Sequence, residues 1–97
     1  MIKRIKEISD ESAWVLAEII GYSFEAEMAL KQLEAALADL EASFEPDNAQ
    51  VEIVFTALAE LKIAFSKCLE KTPTQYQNLI ENLTDRIDIF LFHHRLF

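Results

Sequence analysis

Few residues in this chain are of a type that does chemistry. The two histidines, His93 and His94, are adjacent near the C-terminus, and the one cysteine is Cys68. Neighbouring residues on a helix point about 100° apart, so the two imidazoles do not chelate one ion together. No Glu or Asp precedes either histidine at the Glu-x-x-His spacing of di-iron bundles. A single cysteine excludes an intrachain disulfide and a zinc site built on several thiolates. Cys68 falls on an apolar seam and reads as a small core residue rather than a nucleophile. With one Gly in the chain there is no GxGxxG and no Walker A loop. No metal and no cofactor are expected.

One pair carries a possible reaction. Arg86 and His93 have six residues between them. An arginine can stabilise phosphate charge, and an imidazole can move a proton. In this pair the chain resembles the HEPN superfamily, all-helical and usually dimeric domains. Many of those carry an Arg and a His a few residues apart, late in the chain, as a metal-independent RNase site. The resemblance implies Arg86 as the phosphate-stabilising group and His93 as general acid or base. It covers this pair and the helical class alone, and Ile87 follows the arginine where the family often has a polar residue. The competing reading makes Arg86 a solvated surface residue. Asn82, Leu83, Ile89 and Phe90 occupy the positions three and four away, so no ion pair forms within its own helix.

The elements that must position these residues are helices. Glu45-Pro46-Asp47-Asn48 is a turn cluster, and Asp47 with Gln50 fits a capping box. Thr72-Pro73-Thr74-Gln75 is a second one, with Thr72 as cap, Pro73 at the first helical position and Gln75 completing a box. The spacing predicts helices over about 10–44, 47–71 and 73–96, in a single domain spanning 1–97. Ser9 or Asp10 suits the first N-cap, and residues 1–8, net +2, form an arm or an extra turn. Leu30, Leu33, Leu37, Leu40 and Phe44 alternate three and four, as a helix seam does. Ala29, Ala36 and Ser43 beside this seam allow a neighbouring helix to approach closely. A heptad line through Trp14, Ala17, Gly21, Phe24 and Met28 favours one long first helix, kinked at Gly21, over two helices with Ser23 as the second cap. The expected fold is all-α, an antiparallel bundle of three long helices that dimerises into a larger bundle.

Composition bounds the rest. The chain has 97 residues, 52% of them hydrophobic, and a net charge of −8. That apolar fraction with only two prolines argues against disorder. The negative charge disfavours direct nucleic-acid binding. The apolar run Ala13–Ile20 is interrupted by Glu18, and the C-terminal run by Asp88, His93, His94 and Arg95. Neither reaches the ~20 residues of a membrane span, so a cytoplasmic protein without a membrane partner is expected.

Two segments are more hydrophobic than one bundle face requires. Residues 13–20 and 87–92, followed by Leu96 and Phe97, place apolar groups all round a helix. Such helices face a partner or are buried on every side. Trp14, Leu16, Ile20, Ile89, Phe90, Phe92 and Phe97 are the candidate interface residues, with Trp14, Phe90 and Phe92 as anchors. The simplest partner is a second copy, with another protein as the alternative. The competing reading is a compact four-helix fold whose chain ends cover each other. Residues 9–50 hold ten acids and a single base, Lys31. Glu11, Glu18, Glu25 and Glu27, Glu34, Glu41 form two heptad lines, either a solubilising face or a surface for a basic partner. The expected role is therefore a small acidic, non-enzymatic interaction or regulatory module that self-associates. The alternatives are an acidic inhibitor that mimics nucleic acid, and a HEPN-like RNase.

Overall fold

The computed structural model describes residues 2–19 and 24–95. These form four α-helices and no strand: α1 (Ile2–Glu18), α2 (Phe24–Ala42), α3 (Asn48–Cys68) and α4 (Thr74–Arg95). A 3₁₀ turn, Leu69–Lys71, joins α3 to α4.

Cross-helix contacts set the topology. Lys6 near the start of α1 pairs with Glu41 at the end of α2, 2.9 Å apart, so these helices are antiparallel. Glu25 at the start of α2 lies 3.8 Å from Lys67 at the end of α3. Phe55 early in α3 meets Phe90 late in α4 edge-on, with ring centroids 6.0 Å apart. Glu11 and Arg86 join α1 to α4. Each helix packs on its two sequence or end neighbours, and α1 packs on α4. The result is an up-down-up-down four-helix bundle closed within one chain.

The sequence expectation of one helix over 10–44 is corrected: two antiparallel helices occupy that stretch. Length supplies one reason. A straight helix of 35 residues would be about 52 Å long, whereas the long axis of the molecule is 43 Å. The apolar pattern supplies the other. The buried stripe of α1 is Ile5, Ile8, Ser12 and Val15, continued by Ile19 just beyond it, and that of α2 is Ala26, Ala29, Leu33, Leu37 and Leu40. Both meet the same core only if the chain reverses between them. Trp14, Phe24 and Met28, from the line favouring a single helix, are exposed. Gly21, with Ile20, Tyr22 and Ser23, lies outside the described residues.

The first helix also begins earlier than Ser9 or Asp10. Ile2, Ile5 and Ile8 extend the apolar stripe toward the N-terminus, which makes helix favourable there. Ser9 and Ser12 are thereby buried mid-helix, and Ser12 Oγ donates to the Ile8 carbonyl at 2.7 Å. Such a back-bond satisfies a hydroxyl that has no water.

Both turn clusters separate helices, but by different chemistry. Asp47 caps α3: its carboxylate accepts from Gln50 N–H at 2.8 Å, and Gln50 Oε1 accepts from Asp47 N–H at 3.1 Å. Gln50 Nε2 also donates to Ser43 Oγ at 2.5 Å, tying the cap to the end of α2. Asp47→Ala is expected to cost about 1 kcal/mol, seen as faster hydrogen exchange at Gln50 and Val51 than elsewhere in α3. Thr72 does not cap α4. Its hydroxyl donates to the Cys68 carbonyl at 2.7 Å, and Gln77 Nε2 donates to the Thr72 carbonyl at 3.1 Å. The carbonyls at the end of α3 need donors, and the connection is short enough for Thr72 to reach one.

The core runs the length of the bundle. Phe65, Leu33, Leu40, Leu58, Leu61, Ile80, Leu83 and Ile87 are completely or almost completely enclosed. No described helix is long and apolar enough to cross a membrane.

Candidate functional site

The feature richest in chemical groups is a groove between α1 and α4, with a volume of about 230 Å³. Their antiparallel register places Arg4, Glu7 and Glu11 of α1 opposite Arg86, His93 and His94 of α4. Ile8, Ile89 and Phe90 complete the lining. Arg86 and His93 are seven positions apart, two helical turns, and share one side of α4.

Charge in the groove is balanced. Arg86 pairs with Glu11, and Arg4 lies 4.0 Å from Glu7. The sequence offered no partner for Arg86 because the partner comes from another helix. An exposed pair of this kind contributes about 1 kcal/mol or less, so its weight is in register and local charge. The imidazoles lie against aromatic rings. His94 faces Phe90 at 4.4 Å between centroids, with the planes tilted by 34°. His93 meets Phe92 edge-on at 5.7 Å. Cys68 lies at the opposite end of the bundle, buried, its thiol donating to the Phe65 carbonyl at 3.2 Å. It therefore forms no dyad with either histidine. Among the described residues no cluster of His, Cys, Asp or Glu converges as a metal site would.

The candidate interface residues divide by register. Trp14, Ile89 and Phe92 are 54%, 57% and 65% exposed. Leu16 and Phe90 are buried in the core of this same chain. The expectation that both face a partner is corrected, because division of the first stretch into α1 and α2 gives four helices that enclose both side chains in one core. Ile20 and Phe97 lie outside the described residues. Ile89 and His93 line both the α1–α4 groove and a hollow beside it shared with Phe92. Trp14 stands two turns after Glu7, on the same side of α1. The exposed aromatic and aliphatic groups therefore flank the charge-balanced groove.

The acids do not form two unbroken lines. Glu11, Glu18 and Glu25 span the reversal between α1 and α2, so they no longer share a face. Glu11, Glu25 and Glu41 pair with Arg86, Lys67 and Lys6. Glu27, Glu34 and Glu41 remain in line on α2. Sequence reasoning missed the pairs because each joins residues from different helices.

No family model, curated protein or solved structure matches this chain.

Proposed function

We propose that this protein is a small non-enzymatic interaction module that self-associates through its α1–α4 face, in the cytoplasm. One observation carries the reading: Trp14, Ile89 and Phe92 stay exposed although the chain closes its own core. Exposed large apolar groups clustered on one face mark a site of association. The charge of that face supports a second copy as the partner. Arg4 and Arg86 against Glu7 and Glu11 are balanced within a chain of net charge −8. A charge-balanced patch can meet its own image in a twofold interface without net like-charge repulsion. Four-helix bundles would thus associate side by side, in place of a bundle assembled from two chains.

The test is the absolute mass in solution by light scattering, at low and high salt. A dimer that persists in high salt supports the reading, because apolar burial is insensitive to screening. A monomer at every concentration overturns it.

A second reading rests on Arg86 and His93 lining one groove. A metal-independent RNase would cleave RNA in EDTA and lose that activity in His93→Ala. The pairing of Arg86 with Glu11, beside Glu7, weighs against this reading, since both acids repel a phosphate. The nucleic-acid-mimic reading needs an unbroken acidic surface. It is weakened by the same pairing of Glu11, Glu25 and Glu41 with cations.

A further inference from the structure

The α2–α3 face carries a second apolar feature, separate from the surface assigned to self-association. Two hollows lie along it, each of about 330 Å³. One is bounded by Phe24, Met28 and Ile63, with Ala29 and Ala64 as its floor. The other is lined by Ala36, Ala42 and Ile53. Both lie on one face of the α2–α3 pair, in helix register. Ala29, Gln32, Ala36 and Asp39 follow one another at steps of three and four along α2. Small side chains beneath let α2 and α3 approach closely, and Phe24, Met28, Ile53 and Ile63 are 74%, 42%, 59% and 51% exposed.

Charge selects the occupant. Residues 24–47 hold seven acids against one base, Lys31, so they carry −6 of the net −8. Glu25, Asp39 and Glu60 border the groove. The lysine that also borders it, Lys67, already faces Glu25. A second copy would set these acids against their own images, which costs free energy, whereas a cationic partner gains. We propose that the α2–α3 groove docks an amphipathic helix of another protein, with an apolar stripe and Lys or Arg along both flanks. The stripe would seat on Met28 and Ile63 through residues at i, i+3 or i+4, and i+7. Its cations would meet Asp39 and Glu60, since Glu25 already faces Lys67. The stretch of α2 from Glu25 to Ala42 that borders the two hollows spans about 27 Å, the length of a helix of about 18 residues.

The test titrates isotope-labelled full chain with a synthetic peptide of about 18 residues, Leu on one helical stripe and Lys elsewhere. A control peptide carries Glu in place of Lys. The expected result is amide shifts concentrated at Met28, Gln32, Glu60 and Ile63, with affinity falling steeply as salt rises. The Met28→Ser/Ile63→Ser protein, altered only at exposed positions, should bind about tenfold more weakly or worse. The Glu peptide should not bind. Shifts spread over the acidic surface or on α1 and α4, equal binding of the Glu peptide, or undiminished affinity in the double variant would each overturn the proposal. So would shifts at the same amides on concentrating the protein alone, since that assigns the groove to a second copy. A monomeric protein that binds the peptide here removes self-association and leaves this proposal standing.

Discussion

Phe65→Ala is expected to destabilise the protein by about 4 kcal/mol. Phe65 is the bulkiest of the completely enclosed side chains, on the inner face of α3. Its removal loses the transfer free energy of a ring and leaves a cavity the bundle fills only in part. A domain of this size has a net stability of about 5–15 kcal/mol, so one substitution takes a large share of it. The melting midpoint should fall by about 20 °C, and the urea midpoint should fall at unchanged slope. Ile63, two residues earlier, is half-exposed on the outer side of the same helix. Ile63→Ser should cost about 0.5 kcal/mol or less. Equal costs at the two positions would show that α3 does not present this face to the core.

Phe92→Asp should convert the self-associated protein to monomer with its helical circular dichroism unchanged. Phe92 is exposed on the outer side of α4, so the folded monomer has little to lose. A buried aromatic anchor contributes about 2 kcal/mol or more to an interface. Twofold symmetry places the substitution in both copies, so about 4 kcal/mol is lost, near a thousandfold in dissociation constant. Phe90→Asp should behave differently. Phe90 is buried against Phe55, so a carboxylate there unfolds the chain rather than dissociating it. Phe44 is 99% exposed in the connection that follows α2 and lines no part of the α1–α4 groove, so Phe44→Asp should leave the mass unchanged. Dissociation by Phe44→Asp, or a dimer that survives Phe92→Asp, would move the interface off α1 and α4.

The difference between Phe90 and Phe92 shows where sequence reading stops. Both sit in an apolar run on one helix, and their types alone give them equal claims as anchors. Phe90 continues the Ile80–Leu83–Ile87 spacing and Phe92 does not, but whether that stripe is covered within the chain or by a partner depends on the neighbouring helices. Leu16 and Trp14 divide in the same way on α1. Arg86 is a parallel case in charge. Its helix offers no carboxylate at pairing distance, and Glu11 arrives only when α1 lies antiparallel to α4.

The features legible in the order of residues are local ones. All-helical class follows from the steps of three and four between apolar residues. The boundary at Asp47 follows from the Asp47–Gln50 capping box, and the one near Pro73 is legible from the proline although the expected Thr72 cap does not form. The buried seams Val54–Leu58–Leu61–Phe65 and Ile80–Leu83–Ile87 follow from the same periodicity. Tertiary structure alone decided that the first forty residues make a hairpin and that one chain closes a four-helix core. It also decided which apolar groups stay outside. The reason is physical: periodicity specifies a stripe along one helix, but burial requires a second stripe opposite it. Leu33, Leu37 and Leu40 find theirs partly in Ile5, Ile8 and Val15, residues that precede them in the chain and meet them only after it turns back.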